Sequence, residues 1–273
     1  MKIKDIIKIA TQRLSSSCQR PQFEAQLLLC FYLKKDRIYL ELNSDKNLEN
    51  LEEFWNLIER REDNEPYEYI IGEVSFYDIT LYINSGVLIP RPETEILIDE
   101  ISQIIVEKNI NSLVEIGVGS GAISIVLARR FPHLEIYATD LYDKPLALAK
   151  KNIDKFNLSS QITLIKSNLM DNITQNIDMV VSNPPYIAND FKLEKNVVDY
   201  EPSTALFGGR VGDELLRQII LDTKARDIKY LACEMGYDQK EPLSKFLDSL
   251  GIKDYNFYQD LAGIDRGFVG CVS

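Results

Sequence analysis

The residues best suited to chemistry are Asn183-Pro184-Pro185-Tyr186, which follow the apolar run Met179-Val180-Val181. Consecutive prolines fix φ at both positions and remove two backbone donors. They also hold the preceding residue extended. The Asn183 carboxamide and the Pro184 carbonyl are therefore presented rigidly at a strand end, as two acceptors side by side. Such a pair suits a planar –NH2 group, and Tyr186 adds an aromatic face. Taken alone, a Pro-Pro pair is an ordinary exit from a strand. Its chemical meaning depends on what else reaches the same place.

A second stretch does. Glu115-Ile116-Gly117-Val118-Gly119-Ser120-Gly121-Ala122 leaves a strand and opens a helix. Glycines there permit a tight turn and close approach of a ligand to the backbone. Asp140 ends the next strand, about twenty residues on, where a carboxylate can accept from two ribose hydroxyls. This pattern indicates a nucleoside cofactor without choosing it. Gly117, Gly119 and Ala122 also fit the dinucleotide pattern G-x-G-x-x-[GA], so the loop alone suits NAD and S-adenosylmethionine (SAM) equally. The Asn-Pro-Pro-Tyr stretch separates them. An amide-like nitrogen is a poor nucleophile because its lone pair is delocalised. Two acceptors on its hydrogens return electron density to nitrogen and aim it at a sulfonium methyl, and orientation of this kind supplies part of the barrier. No strong base is needed before attack, since the proton becomes acidic only as the N–C bond forms. Hydride transfer needs none of this.

The elements that position these residues follow from periodicity. Residues 1–71 read as helices, with apolar stripes Ile3, Ile6, Ile7, Ala10, Leu14 and then Phe23, Leu27, Leu28, Phe31, Tyr32. A short helix is expected around Asp36–Leu42 and a longer one from about Asp45 to Arg61. Residues 72–89 switch to strand-like alternation with the turn signal Asn84-Ser85-Gly86, which predicts a β-hairpin linker. From residue 90 to 273 a helix from about Thr94 is followed by alternating strands and helices. Repeated βα units predict a mostly parallel, helix-covered sheet. Ligands bind such sheets beyond the carboxyl ends of the strands. That edge is expected to gather Gly117, Asp140, Asn168 and Asn183.

Composition narrows the partners. A net charge of −11 argues against bulk affinity for nucleic acid. No apolar run approaches the ~18–20 residues of a membrane span. Met1–Arg13 followed by Ser15-Ser16-Ser17 superficially resembles a transit peptide, but Asp5 and the regular apolar stripe favour a helix in a bundle. The four cysteines, Cys18, Cys30, Cys233 and Cys271, lack metal or redox spacing and read as reduced, buried residues of a cytoplasmic protein. With His133 the only histidine, a His-based triad or His metal site is not expected, and no metal ligand set is assigned.

With these residues in view, the chain resembles the SAM-dependent release-factor glutamine N5-methyltransferases. The resemblance runs through Pro66-Tyr67-Glu68-Tyr69-Ile70-Ile71-Gly72, Leu88-Ile89-Pro90-Arg91-Pro92-Glu93-Thr94-Glu95, the glycine loop and Val181-Ser182-Asn183-Pro184-Pro185-Tyr186-Ile187. It continues through Tyr200-Glu201-Pro202, Ala205-Leu206-Phe207-Gly208-Gly209 and Asp260-Leu261-Ala262-Gly263-Ile264-Asp265-Arg266. Asn-Pro-Pro-Tyr is shared with adenine-N6 DNA methyltransferases and with ribosomal-protein glutamine methyltransferases; its combination with Arg91-Pro92-Glu93-Thr94-Glu95 favours release factors.

The resemblance implies a Rossmann-like methyltransferase fold with a seven-stranded, mostly parallel sheet, an N-terminal helical domain that helps grip the release factor, and a cytoplasmic enzyme. It implies methyl transfer from SAM to the glutamine amide nitrogen of Gly-Gly-Gln in peptide chain release factors. Gly117, Val118, Gly119, Ser120 and Gly121 would cradle the methionine part of SAM, and Asp140 its ribose. Asn168 and Leu169 would meet the adenine, where the family usually has Asp and an aromatic residue. Val118 stands where the family usually has Thr. Asn183 and Pro184 would accept from the substrate –NH2, with Pro185 and Tyr186 shaping the pocket. The other readings are a methyltransferase for another glutamine or for adenine in nucleic acid, and a non-catalytic adaptor that keeps the SAM fold.

Overall fold

The computed structural model describes residues 1–272 of the chain. The chain folds as two compact units: Met1–Glu73 with Leu193–Tyr200, and Val74–Lys192 with the chain from Glu201 on.

The first unit is helical: α1 (Ile3–Arg13), α2 (Pro21–Leu33), α3 (Arg37–Leu42), α4 (Glu52–Glu62) and α5 (Tyr67–Ile71). Their apolar faces converge on one core that includes Ile3, Ile6, Leu28, Leu29, Phe54 and Ile58. Each such side chain, fully buried, contributes about 1.5–3 kcal/mol. Pro21 stands at the first position of α2, where its missing N–H costs nothing. Asp36 caps α3 by accepting from the Tyr39 N–H at 2.8 Å. The helix expected from about Asp45 starts only at Glu52. Ahead of it Asn47 bridges to Lys2, the Leu48 N–H donates to the Met1 carbonyl at 2.9 Å, and Asn50 takes a φ of +55°. These residues use their backbone to pair with the chain start, while Leu48 and Leu51 still pack on the core.

From Val74 on, the second unit holds the hairpin of β1 (Glu73–Phe76, its first residue in the helical unit) and β2 (Ile79–Tyr82), followed by α6 (Thr94–Lys108), β3 (Ser112–Ile116), α7 (Ala122–Arg130), β4 (Glu135–Asp140), α8 (Asp143–Lys155), β5 (Ile162–Lys166) and β6 (Met179–Ser182). The strand β7 (Ile187–Ala188) leads to the helix α9 (Lys195–Tyr200), which belongs to the first unit and whose Tyr200 phenol donates to the Asp63 carbonyl at 2.8 Å. Then come β8 (Phe207–Gly209), α10 (Glu214–Ala225), β9 (Tyr230–Glu234), α11 (Lys240–Ser249), β10 (Asp254–Gln259) and β11 (Asp265–Cys271). The sequence pattern does not mark α9, β7 or β8. All three are short, and β7 and β8 form a small sheet of their own.

The main sheet has seven strands in the order β10-β11-β9-β6-β3-β4-β5, and only β11 runs against the rest. Strand order reverses at β3, between β4 and β6, the switch point where open α/β sheets bind ligands. Register then fixes the site. Ile116 pairs with Thr139 on one side and Ser182 on the other, and Ser182 pairs with Cys233. The next residue of each strand is therefore at one level: Gly117, Asp140, Asn183 and Glu234. Among the described residues no helix is long and apolar enough to cross a membrane. Of the four cysteines, Cys233 is fully buried, whereas Cys18, Cys30 and Cys271 are partly exposed, so the expectation that all are buried fails for three.

Candidate active site

The carboxyl edge of the sheet opens on a cavity of about 900 Å³. Small-molecule sites commonly enclose ~300–1,000 Å³. Its wall includes Gly117, Val118, Gly119, Ser120, Asp140, Asn168, Leu169, Asn183 and Pro185. Gly121, Pro184 and Tyr186 lie outside that wall.

The glycine loop is shaped by backbone bonds. The N–H groups of Gly117 and Val118 both donate to the Thr139 carbonyl, at 2.9 and 2.8 Å, and the Gly121 N–H closes the turn on Val118 at 2.8 Å. Gly117, Gly119 and Gly121 have φ of +78°, +55° and +85°, a region that β-carbons disfavour. A Cβ on Gly117 would meet only open space, whereas one on Gly121 would press on Ile125 and Ala149. Gly117 thus leaves its backbone open to a ligand, and Gly121 seats α7 against α8. Behind the loop, Glu115 is buried and accepts from the Ser124 N–H at 3.0 Å and from the Ser124 hydroxyl. Burial pushes its carboxyl up to about 8, against those two bonds.

Asp140 joins two loops through one carboxylate. Its Oδ2 accepts from the Gly119 N–H at 3.2 Å and its Oδ1 from the Tyr142 N–H at 3.0 Å. Burial raises its pKa, and the backbone donors oppose the rise. Asn168 gives one Nδ2 hydrogen to Asp171 at 3.3 Å, which leaves its oxygen and its second amide hydrogen for a ligand. Leu169 beside it adopts a left-handed φ of +48°.

At the other end, Asn183 is held by residues distant in sequence. Its Nδ2 donates to the Thr94 hydroxyl at 3.0 Å, across 89 residues. The Thr94 hydroxyl donates to Glu234 at 2.7 Å, across 140 residues. Glu234 also accepts from the Tyr186 phenol at 3.0 Å. The Tyr186 carbonyl accepts from Gln239 at 2.8 Å. Pro185 rests against Gly208, where a Cβ would stand 2.3 Å from the Pro185 carbonyl oxygen and 2.2 Å from that of Gly212. The buried Glu201 pairs with Arg91 and accepts from the Ile89 N–H at 3.2 Å, tying the Pro90–Arg91 segment to the chain that returns to β8.

Sequence reasoning missed Thr94 and Glu234 as site residues. Thr94 reads as a helix start. Glu234 did leave a signal: a lone carboxylate ending the apolar strand Tyr230-Leu231-Ala232-Cys233, at the same edge as Asp140 and Asn183.

An exposed glycine backbone, a carboxylate one strand away and an Asn oxygen at the next strand end fit a nucleoside with an amino-acid tail. Residues 5–72 match the PrmC N-terminal domain family, and residues 92–200 match the methyltransferase small domain family. The chain is 38% identical over 254 residues to the release factor glutamine methyltransferase of Clostridium botulinum, covering 90% of each. It is 36% identical over 278 residues to that of Buchnera aphidicola, covering 97% of this chain and 98% of the other. Among solved structures, the N-terminal domain of human METTL16 in complex with SAH is similar with a TM-score of 0.55 and 20% identity, over 84% of this chain and 86% of that one. At that identity the likeness is one of fold. Fold, cavity and family matches together define a SAM-dependent methyltransferase. The chain belongs to the release factor glutamine methyltransferase family.

Proposed function

We propose that the protein methylates the side-chain amide nitrogen of the glutamine in the Gly-Gly-Gln tripeptide of peptide chain release factors. The observation that carries this reading is the state of Asn183. Its nitrogen is committed to Thr94, which leaves the carboxamide oxygen as the acceptor it can present at the cavity wall.

SAM supplies an electrophilic methyl on a sulfonium. The chain's own residues do the rest. The Gly117–Ser120 backbone and Asp140 hold the cofactor's methionine and ribose, and Asn168 with Leu169 receives its adenine. The Asn183 oxygen and the Pro184 carbonyl accept the two hydrogens of the substrate –NH2. That fixes the plane of the amide and turns its nitrogen toward the methyl. As the N–C bond forms and the C–S bond breaks, nitrogen becomes positive and the two acceptors stabilise that charge. One proton then leaves nitrogen for solvent. Pro185, packed on Gly208, and Tyr186, anchored on Glu234, keep both acceptors in place. The helical unit, Met1–Glu73 with Leu193–Tyr200, contributes grip on the release factor.

Mass spectrometry of a purified release factor incubated with this protein and SAM tests the proposal. The expected result is a gain of one methyl on the Gly-Gly-Gln glutamine. Methyl on another protein's glutamine, or in RNA or DNA instead, would overturn it.

A further inference from the structure

Glu234 ends β9 out of contact with water, 2% exposed. Among the described residues no ion pair reaches it. Its two oxygens take two hydroxyls, Thr94 at 2.7 Å and Tyr186 at 3.0 Å. Arg266 on β11 is a cation whose charge reaches Glu234, but it bonds to Asp260 and Glu93. Glu93 beside Thr94 adds a negative charge, and Tyr258 on β10 and Cys233 on β9 present neutral titratable groups. Arg91 lies near Tyr186 and is paired to Glu201. A buried carboxylate in this setting contributes little packing, and an apolar side chain would fill the same space with less desolvation cost.

What the carboxylate does supply is direction. An ionised carboxylate can only accept. Both hydroxyls must then spend their hydrogens on it. Thr94, its one hydrogen used, can only accept from Asn183. The carboxamide is forced to turn its –NH2 toward Thr94 and its oxygen away. If Glu234 carries a proton, the chain can run the other way. Thr94 is then free to donate to Asn183, and the amide can flip to offer hydrogens where the substrate –NH2 needs an acceptor.

We propose that Glu234 is a positioning residue that acts through Thr94 to hold the Asn183 carboxamide with its oxygen facing the substrate amide. This rests on the role given to Asn183 above. Two readouts separate the two ideas. The first needs no substrate: the side-chain –NH2 resonances of Asn183 in 15N-labelled protein, assigned by their loss in Asn183→Ala. In wild type they show a hydrogen-bonded, exchange-protected pair above pH 8, and that pair changes as pH falls through about 7, where burial places the Glu234 carboxyl. Thr94→Val collapses it to a free amide, and Thr94→Ser restores it. Glu234→Gln abolishes the pH response. The second readout is methyl transfer. Thr94→Val lowers kcat by ~10-fold or more with SAM affinity within ~3-fold, as loss of a charge-coupled hydrogen bond implies, and Thr94→Ser recovers it. Identical Asn183 resonances in wild type and Thr94→Val would overturn the inference whatever the assay gives. The expected resonances with no methyl transfer by wild type would instead sink the proposed function and leave Glu234's control of Asn183 standing.

Discussion

At the glycine-loop end of the cavity, Gly117 and Val118 share the Thr139 carbonyl, and Asp140 accepts from Gly119 across 21 residues. At the Asn183 end, Thr94 joins Asn183 across 89 residues and Glu234 across 140, and the three meet as side chains around a buried carboxylate. One end is a backbone mould, and the other is a side-chain relay. On the proposed function, the mould should tolerate variety in side chains such as Val118 and Leu169, because the cofactor would meet peptide groups and a carboxylate. The relay tolerates little, because each hydroxyl or amide has one orientation that satisfies its neighbours. On the proposed function, binding the cofactor and aiming the acceptor fall to different residues, and substitutions should separate them.

Apart from Asn183 itself, the largest effect is expected at Gly208. A valine there drives carbon into two carbonyl oxygens that cannot yield, and overpacking of this kind costs ~1–3 kcal/mol or more. Displacing Pro185 should reduce turnover to about a hundredth, equivalent to ~2.7 kcal/mol of barrier. SAM affinity by calorimetry should change less than ~3-fold if the two ends are distinct; an equal loss would erase the distinction. Next is Asp140→Ala. Hydrogen bonds to charged groups are worth ~1.5–3 kcal/mol, so SAM Kd should rise ~10–100-fold with turnover at saturating SAM nearly kept. A fall in saturated turnover of the same size would show that Asp140 also aims the methyl.

Glu115 gives a smaller, pH-dependent effect on stability. Its carboxyl titrates near 8 when folded, above its ordinary 4.5. Between those values the folded chain holds more protons than the unfolded one, so this contribution is full below 4.5 and lost as pH rises through 8. The Tm of wild type relative to Glu115→Gln should therefore drop steadily from pH 5 to pH 8.5. A constant difference would mean that the Ser124 bonds, not burial, govern this carboxyl. The smallest effect is Asn168→Ala, the loss of one exposed acceptor worth ~0.5–1.5 kcal/mol, seen as a ~2–10-fold rise in SAM Kd with no change in turnover.

The same contrast explains what could be read without coordinates. The alternating strands and helices announce a parallel sheet, and the positions after Ile116, Thr139 and Ser182 point to one edge, because strand ends in such a sheet converge. The glycine loop was visible since its geometry is local and needs glycine. Thr94 and Glu234 were invisible as a pair. Their meaning lies in an oxygen-to-oxygen distance that depends on β9 lying beside β6, and on α6 starting at Thr94 beside the end of β9. Asp45–Leu51 reads as helix because its leucines keep helical spacing, yet its backbone pairs with the chain start, a non-local choice that periodicity does not record.

The most direct test of the two-ended account is Asn183→Ala, followed by SAM titration and by single-turnover methyl transfer to a release factor. The account predicts a rate lowered ~100-fold or more, the scale seen when one preorganised hydrogen-bonding group is removed from a transition state, with SAM Kd within ~3-fold of wild type. A parallel loss of SAM affinity and rate would contradict it, placing Asn183 in the cofactor mould and not in the relay.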